Sequence, residues 1–401
     1  MCSSDLALRL VAADVERSAA DPAAREDGVR AVQALVAPLW SGLGIGGAGS
    51  NAAFSPFSVA MALAMAALGA AGETRRQMLG VLGGVEASRL GAGCNALALD
   101  LEDRAGPVPD DPDDRRIDLA SADQVFGQSD LTWGEPFLES LARDFGTGVR
   151  TVDFAGDPEG ARTIVNRWTA EQTRDRIEEI IPAGAFGPDT RMTLVNALYL
   201  KAPWARAFEK SLTAEHDFAL ADGSSVSVPL MRAPISRSAV TSGWSTAQVP
   251  YAGGRLAMTI VVPRDGGEAV AAAVADGRLD DLLATEPVPA TLRLPRWRFR
   301  VQASLSGALG AAGMPLAFTD DADFSGMTTD EPLHVADVLH EVFLAVDEEG
   351  TEAAAATAVV METLTAQLPP EREVTADRPF LFCLHTDDGV PLFVGWCADP
   401  R

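Results

Sequence analysis

A long apolar run in the first fifth of the chain restricts the fold more than any other feature. Ser55 and Pro56 are typical of a helix N-terminus, the first as cap and the second in the opening turn. The body that follows is almost entirely apolar, and its longest uninterrupted stretch, residues 59–71, has about 13 residues where roughly 20 are needed to cross a bilayer. A helix that is apolar on every side must be buried on every side. The sequence therefore predicts a large core built around this helix.

Composition limits the partners and the compartment. The 401 residues, 47% hydrophobic and 22% charged, are enough for one large domain or for two to three smaller ones. A net charge of −25 argues against nucleic acid or an anionic membrane surface as the main partner. Charged residues interrupt residues 1–21, so there is no signal-peptide core, and on sequence alone the protein is expected to be cytoplasmic. The four cysteines and four histidines lack metal-ligand spacing, which predicts no metal site.

Hydrophobic periodicity predicts a mixed chain in which helices come mostly first and strands mostly later. Helices are expected at residues 27–40, 56–68, 73–82, 88–101, 137–145, 158–174 and 267–283. Strands are expected at residues 191–200, 225–231, 245–249, 256–262, 290–301, 335–346, 380–385 and 392–396. No linker or repeat divides the chain, which favours one α+β domain over residues 23–401. Residues 1–22 are expected to be a loosely ordered or partly helical extension.

The segment from Gly350 to Thr365 is the most unusual part of the chain. Read with the alternation of a strand, one face carries only uncharged side chains: Thr351, Ala353, Ala355, Thr357, Val359 and Met361. Eleven residues would reach roughly 36 Å at about 3.3 Å each, longer than most strands. Helix propensity favours an alanine-rich helix instead. Gly350 before the alanines and β-branched residues after them favour a loop that can become a strand, because small side chains enter a sheet with little steric resistance.

Five segments follow one another along the chain: NAAFSPFSVAMALAMAALGAAGET at 51–74, LVNALYLKAPW at 194–204, ADFSGM at 322–327, VDEEGTEAAAAT at 346–357 and DRPFLF at 377–382. In this order they resemble the serpins, a family of serine protease inhibitors that act by inserting a loop into a β-sheet. The resemblance spans about residues 25–400. It implies an α+β fold of about eight to nine helices around three β-sheets, with an exposed reactive-centre loop at about residues 350–372.

The resemblance also assigns roles to individual residues. The hinge of the loop would comprise Glu348, Gly350, Thr351, Glu352, Ala353, Ala354, Ala355, Ala356 and Thr357. The shutter beneath the central sheet would comprise Ser55, Ser58, Asn196 and His340, and the breach at its top Arg296, Glu348 and Trp204. Family spacing places the scissile bond at Leu364–Thr365, with the carbonyl of Ala366 or Leu368 as the open alternative. A leucine there suits chymotrypsin-like, elastase-like or subtilisin-like proteases.

By this resemblance the chain would be a suicide-substrate inhibitor that ends in a covalent acyl complex with a serine protease. It would act as a monomer, without a cofactor, and without a heparin-like activator because no basic helix is evident. The family also implies the extracellular space as an alternative location. A non-inhibitory carrier, chaperone or storage role is the second hypothesis, which the small hinge residues disfavour. No nucleophile elbow, Walker loop or H-E-x-x-H motif supports an enzyme.

Overall fold

The computed structural model describes residues 8–46, 49–109, 111–351 and 372–401. Its α-helices are α1 (Arg25–Ala34), α2 (Val36–Gly42), α3 (Pro56–Gly69), α4 (Gly72–Val81), α5 (Ala87–Arg104), α6 (Glu135–Phe145), α7 (Pro158–Gln172), α8 (Glu268–Ala275), α9 (Leu279–Leu283) and α10 (Ser306–Ala312). Leu35, which separates α1 from α2, keeps helical backbone angles (φ −81°, ψ −17°). Counting that pair as one bent helix, the described residues contain nine helical bodies.

The strands form three sheets. In chain order they are β1 (Arg9–Val11), β2 (Ala52–Phe54), β3 (Gly106–Pro107), β4 (Arg116–Ser121), β5 (Gln124–Gln128), β6 (Val149–Val152), β7 (Met192–Pro203), β8 (Ala214–Ala219), β9 (Ser225–Ile235), β10 (Arg237–Val240), β11 (Trp244–Pro250), β12 (Leu256–Pro263), β13 (Ala290–Pro295), β14 (Trp297–Ser304), β15 (Val338–Val346), β16 (Gly350–Thr351), β17 (Glu373–Thr375), β18 (Phe380–Thr386) and β19 (Pro391–Cys397). The central sheet has the order β1-β6-β5-β7-β16-β15-β14, with β4 beside the second half of β7. The others are β10-β11-β12-β18-β19-β2 and β17-β13-β9-β8. This arrangement confirms the predicted α+β class with three sheets.

Helix α3 lies in the interior, as its composition predicts. Ser55 caps it by accepting a hydrogen bond from the Ser58 amide at 3.1 Å, and Pro56 occupies the first turn. Every residue of the helix except Leu68 is buried. The helix packs against β7 of the central sheet and β19 of the second sheet. Its N-terminus therefore lies beside the strands of the central sheet, where the candidate site is found.

The N-terminal residues differ from the expected loose or helical extension. Arg9–Val11 form β1, which pairs antiparallel with β6 at the edge of the central sheet. The adjoining stretch is also held to the body, since the Ser18 amide donates to the Arg143 carbonyl at 2.8 Å. The physical reason is that an open sheet edge offers unpaired amides and carbonyls to any extended segment within reach. The side-chain pattern of residues 8–22 does not predict this pairing.

Two predicted elements are divided in the structure. The helix expected at residues 267–283 breaks into α8 and α9 at Gly277, which has a positive φ of 73°. The strand expected at residues 290–301 becomes β13 and β14, which belong to different sheets and meet at Arg296. Apolar periodicity continues through both breaks, because the chain stays buried on either side of them.

Three general properties concern the described residues only. Cys94, Cys383 and Cys397 are free and buried, and Cys383 lies opposite Val394 in the C-terminal hairpin. No helix in the described ranges has both the length and the apolar character needed to cross a membrane. These ranges likewise contain no group of three or more His, Cys, Asp or Glu side chains placed to hold a metal ion.

Candidate functional site

The candidate site is a slot between the two middle strands of the central sheet. At one end β7 and β15 pair directly and in parallel, from Leu194 opposite Val338 to Ala197 opposite Glu341. At the other end the two strands are spread by β16, which pairs antiparallel with both. Between these ends, residues 198–201 and 342–345 pair outwards with β4 and β14. Within the described part of the chain, no strand lies between their inner edges. We refer to residues 198–201 and 342–345, together with the gap between them, as the slot.

The mouth of the slot is closed by the first two residues after an acidic turn. Gly350 lies opposite Pro203 and Thr351 opposite Ala202. A Cβ on Gly350 would lie 2.2 Å from the Ala202 carbonyl oxygen, so only glycine allows this approach. Thr351 is fully buried, and its hydroxyl shares a 2.5 Å hydrogen bond with the Tyr251 hydroxyl. The first step of a strand between β7 and β15 is therefore already formed.

The other residues expected in the loop lie outside the described residues. These are Glu352, Ala353, Ala354, Ala355, Ala356 and Thr357 of the hinge, Leu364 and Thr365 of the scissile bond, and the alternatives Ala366 and Leu368.

An ion pair fixes the turn before the mouth. Glu348 is almost completely buried, and its Oε1 accepts hydrogen bonds from Arg296 Nε at 2.9 Å and from the Thr213 hydroxyl at 2.6 Å. Burial alone would raise the pKa of Glu348, but these hydrogen bonds outweigh it and leave the pKa below its ordinary value. The carboxylate is thus held ionised, with one partner directly before β8 and the other at the junction of β13 and β14.

Trp204, directly after β7, contacts the same turn. Its indole Nε1 donates to the Asp347 carbonyl at 2.9 Å, and its amide donates to the Glu349 carbonyl at 2.9 Å. The ring stacks on Tyr251 with centroids 4.5 Å apart. The structure therefore brings together the three breach residues expected from the sequence, around the first residues of the hinge.

Below the slot, a chain of buried hydrogen bonds joins helix α3 to both middle strands. The Ser55 amide donates to His340 Nε2 at 2.9 Å, and His340 Nδ1 lies 2.5 Å from Asn196 Oδ1. The Ser58 hydroxyl donates to Asp123 Oδ1 at 2.8 Å, which extends the chain to the β4–β5 junction. The four expected shutter residues are thus connected, and Asp123 joins them.

The protonation states in this cluster follow from its geometry. Because the Ser55 amide is a donor, His340 Nε2 must accept, so the ring proton lies on Nδ1 and points to Asn196. Burial lowers the pKa of His340 to about 4. Burial also raises the pKa of Asp123 to about 7, against the opposing effect of hydroxyl groups from Ser121 and Ser58.

Comparison with known proteins identifies the family to which this geometry belongs. A family model described as "Serpin (serine protease inhibitor)" matches residues 35–400. The chain belongs to the serpin family. Wheat Serpin-Z1C is 34% identical over 379 residues, covering 88% of this serpin and 91% of the relative. Human Serpin B4 is 32% identical over 369 residues, covering 88% of this serpin and 94% of the relative.

Solved structures show the same fold. Tengpin, a thermophilic serpin solved in its native state, superposes with a TM-score of 0.81 at 23% identity, covering 96% of this serpin and 97% of that chain. Arabidopsis AtSerpin1, in a native stressed conformation, gives a TM-score of 0.79 at 25% identity, covering 96% and 100%. Since serpins are in general inhibitors rather than enzymes, this serpin is a protein of the protease-inhibitor type.

We expect His340 to make the stability of this serpin depend on pH between about 4 and 6.5. The unfolded chain binds a proton in this range that the folded protein rejects, so the stabilisation present above pH 6.5 is lost as the pH falls toward 4. The shift from 6.5 to about 4 corresponds to about 3 kcal/mol. The measurement is the free energy of unfolding of wild type and His340→Gln at pH 4 and pH 7, where the gap in stability should shrink by about that amount at pH 4.

The stability of wild type must be compared with that of His340→Gln, because other titratable groups change the stability with pH in the opposite direction. Burial raises the pKa of both Asp123 and Glu341 to about 7, so each destabilises the fold as the pH rises toward 7. These contributions are common to wild type and variant. His216→Gln, at an exposed position on β8, is the matched control. Its difference in stability from wild type should be the same at pH 4 and at pH 7. A wild-type-to-His340→Gln gap that does not vary with pH would contradict the proposed role.

Several residues of the site were not predicted from the sequence. Asp123, Tyr251 and Thr213 each contact an expected site residue, at sequence separations of 65, 100 and 135. None lies in a motif with a recognisable spacing. Asp123 lies directly before β5, whose sequence QVFGQ is polar at both ends, so the local pattern does not mark it as a site residue.

Proposed function

We propose that this serpin is an irreversible suicide-substrate inhibitor of serine endopeptidases with apolar primary pockets. The protease serine attacks the carbonyl of Leu364, the Leu364–Thr365 bond breaks, and Thr365 leaves with the new amino terminus. The acyl-enzyme remains on Leu364. Ala366 or Leu368 is the alternative point of attack. Because cleavage frees the end of the loop at Leu364, the residues after Thr351 can enter the slot before water hydrolyses the acyl-enzyme ester.

The observation that carries this proposal is β16. Gly350–Thr351 already occupies the mouth of the slot in strand geometry, paired with β7 on one side and β15 on the other. Continuation in the same register would carry the following residues along the inner edges of β7 and β15. Every second residue from Thr351 to Met361 is uncharged, which suits the face that would meet the core.

The shape of the slot supports an energetic gain on insertion. The lower pairing of β7 with β15 extends over only four pairs, from Val338 opposite Leu194 to Glu341 opposite Ala197. Insertion would break these bonds and form new ones on both edges of the entering strand, a net gain of roughly ten hydrogen bonds at about 1 kcal/mol each. This gain is the work available to displace and distort the attached protease.

Cofactor independence and a monomeric state are parts of the same proposal. The net charge of −25 disfavours polyanionic activators such as heparin. The chain supplies the bait sequence and the slot, and the protease supplies the catalytic groups.

The proposal is tested by mixing this serpin with subtilisin, chymotrypsin and elastase at equal concentrations. An adduct that survives denaturing electrophoresis is expected with at least one of them, and mass spectrometry of the released C-terminal peptide should give Thr365 as its first residue. A protease whose catalytic serine is replaced by alanine is the control and should give no adduct. Loop cleavage by all three active proteases without any adduct would instead support a non-inhibitory role.

A further inference from the structure

The side chain of Arg115, directly before β4, joins the turn at Asp111 to the breach. The Asp111 carboxylate, only 4% exposed, accepts from Arg115 Nε at 2.9 Å and from Arg115 Nη2 at 2.7 Å. The hydrogen bonds from Arg115 lower the pKa of Asp111, so this carboxylate stays charged. The two-point contact fixes the plane of the guanidinium and directs its remaining nitrogen, Nη1, outwards. That nitrogen donates to the Trp204 carbonyl at 2.8 Å.

We call residues 347–351 the hinge entrance. Trp204 contacts them both directly and through Tyr251. Its amide and indole nitrogen donate to the Glu349 and Asp347 carbonyls, and its ring stacks on Tyr251, whose hydroxyl bonds to Thr351. The carbonyl of Trp204 is the group that Arg115 holds. An uninterrupted series of contacts therefore runs from the turn at Asp111 to the buried hinge residue.

We propose that Arg115 is a positioning residue for loop insertion. By fixing the carbonyl of Trp204, it holds the end of β7 in the place where Gly350–Thr351 can pair with it. Insertion must begin from this pair, since it sets the register of all later ones. Without Arg115 the end of β7 moves more freely, the first pair opens more often, and the acyl-enzyme has more time to hydrolyse. This inference rests on the proposed inhibitory function.

The first test does not depend on inhibition. Hydrogen exchange followed by mass spectrometry is measured on the full chain for wild type, Arg115→Ala and Arg115→Lys. We expect exchange at residues 202–206 and 347–351 to become about tenfold faster in Arg115→Ala, because a charge-assisted hydrogen bond is lost. Arg115→Lys, which can still reach the carbonyl without the two-point contact to Asp111, should lie between the two. A purely local structural role would confine the change to residues 111–116 and would overturn the inference.

The matched control is Arg237→Ala. The guanidinium of Arg237 also donates to a backbone carbonyl, that of Thr285, at 2.7 Å, but on β10 in a different sheet. Its removal should leave exchange at residues 347–351 unchanged. If Arg237→Ala accelerates exchange there as much as Arg115→Ala does, the coupling is not specific and the inference fails.

The second test measures partitioning against subtilisin. The number of inhibitor molecules consumed per protease inactivated should rise several-fold for Arg115→Ala, less for Arg115→Lys and not at all for Arg237→Ala, while the rate of loop cleavage stays the same. An unchanged ratio in Arg115→Ala would overturn the inference. Failure of the proposed function gives a different result, since wild type itself would then form no adduct with any protease, and the exchange measurement would still decide whether Arg115 positions the hinge entrance.

Discussion

Replacing Thr351 with arginine should convert the inhibitor into a substrate. Thr351 is fully buried between β7 and β15, and its hydroxyl hydrogen-bonds to another buried hydroxyl, that of Tyr251. Before cleavage an arginine at this position can reach water if β16 leaves the mouth of the slot, but insertion returns residue 351 to the interior and buries the charge without a carboxylate partner. This burial costs several kcal/mol, and each 1.4 kcal/mol changes a rate about tenfold. Insertion then loses to hydrolysis. We expect the adduct with subtilisin to fall at least about tenfold while the loop is still cleaved at the same bond.

The control for Thr351→Arg is Leu212→Arg. Leu212 lies close to the breach in sequence and fold but is 43% exposed, so it adds the same charge without burying it. This variant should form the adduct as wild type does. Ala353→Pro is a second variant that removes a donor from the entering strand without adding charge, and it should also yield substrate behaviour. Wild-type amounts of adduct from both Thr351→Arg and Ala353→Pro would exclude insertion as the mechanism.

Elements buried through their own side chains could be predicted from the sequence. Helix α3 is apolar at almost every position and strand β7 at most positions, so their composition predicts that they are buried. The C-terminal hairpin was likewise evident from its turn at residues 386–389. Elements defined by backbone pairing could not be predicted. β1 and β16 are three and two residues long, and each exists because a sheet edge or gap accepts its amides and carbonyls.

The site shows the same division. The expected roles of Glu348, Arg296 and His340 came from resemblance to a family, because Glu348 and Arg296 are 52 positions apart and no spacing rule connects them. Asp123 was missed because its importance comes from the fold, which places a carboxylate under the N-terminus of α3 within reach of Ser58. Arg115 was missed for the same reason, since the carbonyl it holds lies 89 positions away.

Cleavage within residues 352–371 should raise the melting temperature of the whole protein. Within the described residues, no strand fills the slot along its four positions on β7 and its four positions on β15. The four residue pairs that join β7 directly to β15 can also be replaced by pairs with an entering strand. A net gain of about ten hydrogen bonds gives about 10 kcal/mol. Unfolding entropy of about 2 cal/mol/K per residue amounts to about 0.8 kcal/mol/K for 401 residues, so the expected increase is about 12 °C.

Differential scanning calorimetry before and after limited proteolysis measures this increase, and Thr351→Arg provides its control. In that variant the loop is cut at the same bond, but its entry would bury the arginine, so the melting temperature should stay at the value of the uncut variant. The comparison separates insertion from the mere loss of a strained connection, because both cleaved proteins lose the connection and only one gains a strand. An equal increase in both would mean that the stability of the native fold is limited by strain in the loop, and the slot between β7 and β15 would then have no part in the mechanism.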